Sequence, residues 1–347
     1  MKKFNIDNYI LQNYKTKTNA QMALECGCNK STISNHRKKL GISATELNQE
    51  LRNKTNYICS QYGKKTKTTL AKELNCSSSF IKKIWTENKL SSTTQTTYSC
   101  DEEYFKNINS LEKAYWLGFI AADGNIYRRE GHMGLISISV KNSDIEILKN
   151  LQQELKTAKP ISLAQDKRRE DTVMATLQIS SDILCNQLLK IGIGIKKTFD
   201  LSISQICSNI PQKFWSSFIL GYFDGDGSID IPENGISKAH VRISGPIKNL
   251  EDFSKILFLF NINCSIIKDK RTYSEPFGSL EFKNTTEKYM FLKFIYSSNV
   301  KCLKRKKERS DELIKRIENN STNRFENIEA QNFYKSVVLK WEELLER

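Results

Sequence analysis

The chain has 347 residues, enough for two or three domains. Hydrophobic residues make up 39% and charged residues 27%, which supports packed cores and argues against global disorder. Lys plus Arg number 54 against 39 Asp plus Glu, a formal net charge of +15, and no run of about 18 apolar residues offers a membrane-spanning helix. The start, Met-Lys-Lys-Phe-Asn-Ile-Asp, lacks the apolar core of a signal peptide, so a cytoplasmic protein (bacterial, phage or organellar) is expected. Nine cysteines are scattered along the chain. The closest pair, Cys26 and Cys28, has no partner pair at zinc-finger spacing, which suits reduced thiols. The three histidines, His36, His132 and His240, are too dispersed for a His-rich metal site or a Ser-His-Asp triad. Hydrolytic chemistry in such a chain would rest on carboxylates and metal ions.

The basic surplus is concentrated early. Residues 1–100 hold 17 Lys/Arg and 6 Asp/Glu, a net of +11, which points to a polyanionic partner. Residues 8–43 and 56–91 align without gaps at an offset of 48, so Asn8-Tyr9-Ile10 matches Asn56-Tyr57-Ile58 and Ser31, Ile33 match Ser79, Ile81. Each copy predicts three short helices with a small Ala in the second (Ala23, Ala71), a turn at Cys26-Gly27-Cys28-Asn29 or Asn75-Cys76-Ser77, and an outward third helix. This is helix-turn-helix geometry. Lys30, Ser31, Thr32, Asn35, Arg37 and Lys38 in the first copy, and Ser78, Ser79, Lys82 and Lys83 in the second, are the candidate DNA contacts. Their hydroxyls and amides suit base edges, and their cations suit phosphates. The units are placed at 1–46 and 47–91, followed by a Ser/Thr-rich linker at 92–104.

Two apolar segments then stand out: Trp116-Leu117-Gly118-Phe119-Ile120-Ala121-Ala122-Asp123-Gly124 and Ile219-Leu220-Gly221-Tyr222-Phe223-Asp224-Gly225-Asp226-Gly227. Both predict helices ending at Asp-Gly. Ser110 is an N-cap for the first, Pro211 suits the first turn of the second, and Gly124 and Gly227 are natural stops. Gly118 with Ala122, and Gly221 with Gly225, lie four apart on one face, so two helices packed through them approach closely. Asp123 and Asp226 would then sit together at two negative helix ends. That arrangement needs a cation, and Mg²⁺ with its preference for oxygen ligands is the simplest one. Asp224 and Asp230 read as bystanders.

The paired segments resemble the motifs of the LAGLIDADG homing endonucleases, in the monomeric two-motif form, over roughly residues 105–320. The second is close to the Gly-Tyr-Phe-Asp-Gly-Asp-Gly version common in that family. The first departs at its sixth position, where Ala121 stands in place of an acid. Strands at Ile136–Val140, Thr172–Ile179, Val241–Ser244, Cys264–Lys268 and Leu280–Lys283, with helices between them, support an α+β fold. Two pseudo-symmetric αββαββα halves, at 105–205 and 206–320, would form a DNA-binding saddle of antiparallel sheets. A C-terminal amphipathic helix is expected at 321–347.

The resemblance implies a site-specific double-strand DNA endonuclease, encoded by a mobile element in the manner of intron homing, that leaves staggered ends with 3′ overhangs. It implies Mg²⁺ as cofactor, with two or three divalent ions at the motif-helix interface held by Asp123 and Asp226. Lys197 and Lys306 are the candidate catalytic cations near the scissile phosphates. Base contacts are expected from the sheets, with Ser137, Ser139, Lys141, Arg242, Lys268 and Lys283 as candidates. The partner would be duplex DNA with a long asymmetric site, with no membrane and no small-molecule cofactor, and the chain would act as a monomer. Two other readings use the same residues: a non-cleaving sequence-specific transcriptional regulator, and an intron RNA maturase.

Overall fold

A computed structural model describes residues 5–14, 17–42, 44–90, 98–128, 132–166, 169–195, 201–233, 235–270 and 276–320. The expected C-terminal helix at 321–347 and Lys197 lie outside the described residues. The chain divides into two compact units, Met1–Leu90 and Ser91–Arg347.

The first unit is all-helical: α1 (Ile6–Asn13), α2 (Asn19–Glu25), α3 (Lys30–Lys39), α4 (Ala44–Ser60), α5 (Lys67–Glu73) and α6 (Ser78–Glu87). The sequence repeat is a structural repeat. Ile10, Met22, Ala23 and Ile33 form one small core, and Ile58, Leu70, Ala71 and Ile81, each 48 positions on, form the core of the other. Thr18 and Thr66 cap α2 and α5 by accepting from the backbone N–H three residues later. The tight turn needs a positive φ, supplied by Gly27 (+64°) in one copy and Asn75 (+47°) in the other. Lys17 Nζ donates to the Tyr9 hydroxyl (3.0 Å) and to Glu25 (2.5 Å), and Tyr9 also bonds Glu25. Lys65, Tyr57 and Glu73 repeat this staple. The expected boundary at 46–47 falls inside α4, which runs unbroken into the second copy.

The second unit has two halves of identical order. The first runs α7 (Leu111–Asp123), β1 (Asn125–Tyr127), β2 (Leu135–Lys141), α8 (Ile145–Glu154), β3 (Ser162–Asp166), β4 (Arg169–Ser180) and α9 (Asp182–Ile191). After α10 (Ile203–Ser208) the second runs α11 (Trp215–Asp226), β5 (Gly227–Asp230), β6 (His240–Pro246), α12 (Ile247–Leu259), β7 (Ser265–Lys268), β8 (Phe277–Glu281) and α13 (Thr285–Ile295), and α14 (Lys304–Asn320) follows. The sheets are antiparallel with matching orders, β1-β2-β4-β3 and β5-β6-β8-β7. The α+β reading and its pseudo-symmetry are thus what the chain has. The short strands β1, β3 and β5, three to five residues each, are additions to those read from sequence.

One face of each sheet is covered. Ile136, Ile138 and Val140 of β2 point inward with Ala175, Leu177 and Ile179 of β4, under the Ile147, Leu148 and Leu151 stripe of α8. In the other half, Val241 and Ile243 lie under Leu250, Phe253 and Leu257 of α12. The motif helices fill the middle of this core. Every residue from Ala114 to Ala122, and from Ser216 to Asp224, is buried, which accounts for their apolarity all round. Pro211 does not open α11 directly but heads the 3-10 turn Gln212–Phe214. Within the expected linker, residues 98–104 pack on the first half. Asp101 N–H donates to Leu155 O (2.7 Å), and the buried Tyr104 hydroxyl donates to Glu154 (2.9 Å).

The two motif helices meet backbone to backbone. A Cβ on Gly118 would strike the Phe218 carbonyl oxygen and come within 2.8 Å of Tyr222 N. A Cβ on Gly221 would strike the Tyr115 carbonyl oxygen and come within 2.9 Å of Phe119 N. One on Gly225 would strike Ala122 Cβ. Gly124 and Gly227 do end the helices, but in extended backbone (φ −72° and −89°) rather than left-handed. Their lack of a side chain is needed because a Cβ would run into Ile120 or the Phe223 ring one turn back.

Gly118→Ala and Gly221→Ala are each expected to destabilise the second unit by roughly 1–3 kcal/mol or more, because the obstacle is backbone that cannot repack. Gly245→Ala meets only ordinary contacts at 3.5 Å or longer and should change stability little. Urea unfolding of the three variants against wild type checks this.

Candidate active site and nucleic-acid interface

Asp123 and Asp226 end α7 and α11, both half-buried, where the crossing helices emerge. The close approach of Gly225 brings the two together: a Cβ there would lie 3.3 Å from the Asp123 carboxyl carbon. Tyr222, one turn before Asp226, hydrogen-bonds the Asp226 carboxylate. Burial first, then Asp226 and Asp123, push its hydroxyl well above the usual range. Among the described residues, no group of three or more His, Cys, Asp and Glu side chains forms a complete metal cage. Two carboxylates at two negative helix ends nevertheless fit a hard divalent cation, which commonly takes one or two protein carboxylates and completes its shell with water and phosphate oxygens.

Lys306 lies in the first turn of α14 and is buried, 5% exposed. Its ammonium donates to the carbonyls of Phe223 (2.7 Å), Asp224 (2.7 Å) and Gly227 (2.6 Å), and weakly to Gly225 (3.4 Å). It therefore caps the end of α11 instead of projecting into solvent. Burial draws its pKa down to about 8, against the upward pull of Asp224, Asp123 and Asp226. Asp224 has a structural role. It is 1% exposed and accepts from the Tyr115 hydroxyl (2.7 Å) on the opposite motif helix and from Leu303 N–H (2.8 Å) ahead of α14. Its counterpart in the first motif is Ala121, and an apolar residue at the matching position was the available signal that this acid is buried. Asp230 is also engaged, by Arg242 Nη2 at 2.6 Å.

The remaining candidates fall into two groups. In the first unit, Lys30, Ser31, Asn35, Lys38, Ser78, Ser79 and Lys83 are exposed, and Thr32 and Lys82 are half-buried. Arg37 is not available to a ligand. One turn after the core residue Ile33 it points inward, 5% exposed, with Nη1 on Asn19 at 2.7 Å. The repeat carried the signal, since the matching residue is Trp85, whose indole N–H donates to Ile58 O at 3.0 Å. On the first sheet, Ser139 and Lys141 lie on the open face, and Ser139 hydrogen-bonds Thr176 (2.8 Å). Ser137 shares that parity but is shielded, 8% exposed. On the second sheet, Arg242 lies on the open face. Lys268 pairs with the core-side Gly278 and so has the wrong parity, while Lys283 lies beyond the end of β8.

Burial raises the Asp224 carboxyl to about 6, opposed by Leu303 N–H, Lys306 and the Tyr115 hydroxyl. An unperturbed Asp titrates near 3.9, so between about pH 4 and 6 the folded chain retains a proton that the unfolded chain has released. Stability from this group is therefore greatest below about pH 4 and falls as pH rises to about 6. Asp224→Asn keeps an acceptor and removes the titration. Urea unfolding should show wild type losing stability relative to the variant across that window, with the difference flat above about pH 7.

Residues 110–192 match the LAGLIDADG-like domain family model. Over 211 residues the chain is 26% identical to a probable translation initiation factor IF-2 of Methanocaldococcus jannaschii, an alignment covering 58% of this chain and 16% of that protein. The chain thus spans only 16% of the length of the curated relative it matches. Among solved structures, meganuclease I-SmaMI bound to uncleaveable DNA is 14% identical, with 65% of this chain and 94% of that chain covered and a TM-score of 0.42. The homing endonuclease I-WcaI bound to its DNA recognition sequence is 16% identical, with 59% and 90% covered and a TM-score of 0.44. Residues 110–192 thus resemble a LAGLIDADG-like domain.

Proposed function

We propose that the protein is a sequence-specific, divalent-metal-dependent DNA endonuclease acting as a single chain, with two helix-turn-helix units extending its grip on the duplex. The observation that carries the reading is the meeting of Asp123 and Asp226 at the ends of two helices whose backbones touch. Pure stability disfavours two carboxylates at negative helix ends, and the arrangement occurs at matched positions of both halves.

The two aspartates are the residues that would hold Mg²⁺. When bound, such ions activate water and stabilise the leaving oxygen in phosphodiester hydrolysis. The chain's own groups hold this geometry. The Tyr222 hydroxyl orients the Asp226 carboxylate. Lys306 neutralises the last carbonyls of α11, so that helix end can carry an acid directed at an anionic substrate. Lys30, Lys38 and Lys83 supply phosphate contacts from the first unit, and the open sheet faces supply base contacts. The burial of Lys306 is the one observation on the side of a non-cleaving regulator, since it removes one candidate cation from the phosphates.

Selection on a randomised duplex library should yield one long asymmetric site, cut in Mg²⁺ and bound uncut in Ca²⁺. Asp123→Asn or Asp226→Asn should lower Mg²⁺-dependent cutting by at least about 100-fold while Ca²⁺-supported binding persists. Unchanged cutting overturns the metal assignment. Wild-type binding without cutting identifies the regulator, and tighter binding to intron RNA than to duplex DNA identifies the maturase. Lys30→Ala and Lys38→Ala should each flatten the plot of log affinity against log salt by about 0.9, read from fluorescence anisotropy titrations.

A further inference from the structure

The pseudo-symmetry puts matching positions of the two sheets side by side for comparison, and at one place next to the motif acids they differ sharply in chemistry. Two residues after Asp123 comes Asn125, which pairs across the sheet with Ser137, and Ser137 pairs onward with Gln178. Two residues after Asp226 comes Ser228, which pairs with Arg242, and Arg242 pairs onward with Glu281. The first row is uncharged, with its central Ser137 8% exposed. The second presents a guanidinium on the open face of β6, between the buried Val241 and Ile243.

That guanidinium is held in place. Arg242 Nε donates to Ser228 Oγ at 3.0 Å and Nη2 donates to Asp230 Oδ2 at 2.6 Å, while 38% of its side-chain surface remains exposed. A guanidinium has five N–H groups in a planar fork, and these two bonds draw on the edge shared by Nε and Nη2. The opposite edge, Nη1 with the second Nη2 proton, is the one that pairs side by side with two acceptors. In the major groove, guanine alone offers two adjacent acceptors, O6 and N7, to such an edge. Fixing the side chain beforehand also removes much of the rotamer cost of binding.

We infer that Arg242, braced by Asp230 and Ser228, reads a guanine beside the cut site in the half of the target covered by the second sheet, and that the first sheet makes no matching demand. The assignment rests on the DNA reading above. Arg242 touches the base, and Asp230 is a positioning residue.

The test is the library selection in Ca²⁺ with full-length wild type, R242A, R242K and D230N, each first shown to unfold at the wild-type urea midpoint or to lose no binding stoichiometry. Wild type should recover guanine at one position of one half-site. R242A and R242K should lose that preference by about 5- to 150-fold, with every other position unaltered. D230N should weaken it at that position alone. A recovered site whose preferences are the same in R242A overturns the Arg242 assignment, as does uniform weakening at all positions, which marks a phosphate contact or a purely structural pair. A wild-type chain that recovers no site overturns the DNA reading itself, and this inference with it.

Discussion

The contact between the backbones of α7 and α11 is the constraint on which the second unit depends. Gly118 and Gly221 each lie where the opposite helix presents a carbonyl oxygen, so neither position has room for a single methyl group. Such proximity leaves the two helices little room to shift against one another. It also sets the chemistry. The helices must end together, and whatever closes them must share one small volume. The chain closes both with aspartate, which concentrates negative charge where the carbonyl dipoles already point. The cost is partly met within the fold by the Tyr222 hydroxyl and the Lys306 ammonium.

The two ends of this seam are supported differently. The end of α11 is surrounded by Lys306, Leu303 N–H and the Tyr115 hydroxyl, all converging on Asp224 or its neighbouring carbonyls. At the matching place on α7 there is only Ala121. Arg305 bonds Asp144 at the start of α8 (2.8 Å), so the segment opening α14 bridges the second motif and the first half. The two halves share one order of elements, but the end of the second motif helix is a buried polar knot where the first has the apolar Ala121.

The motif helices, both repeats and most of the strand-helix order were legible in the residues, because they rest on local periodicity, small-residue spacing and duplication. What was not legible depended on context. Strands β1 and β5 are only three and four residues long, and β3 is exposed along its first four residues, so none of them shows an apolar alternation. Side-chain surroundings were not legible at Arg37 and Ser137, where a polar residue type suggested exposure but the folded chain covers the side chain, nor at Lys268, whose register pairs it with the core-side Gly278. The burial of Lys306, a candidate cation for the scissile phosphates, was not legible because nothing local announces that four carbonyls await it, the nearest of them 79 residues away. Comparing the duplicates would have helped in two cases, since Trp85 and Ala121 occupy the positions matching Arg37 and Asp224.

The mismatch between Arg37 and Trp85 has a consequence for folding. Neighbouring repeats of similar sequence are prone to exchange elements and trap misassembled chains. In this pair the shared core would tolerate exchange, since Ile33 and Ile81 are the same residue in the same place. The flanking contacts would not. Moved into the second copy, α3 would set Arg37 against Lys67, the counterpart of Asn19, and His36 would lose Asp7, its partner at 2.6 Å, for Thr55. Moved into the first, α6 would bring a Trp to the place where Arg37 bonds Asn19. Each copy is thus matched to its own third helix, which disfavours exchange between two related sequences in one chain.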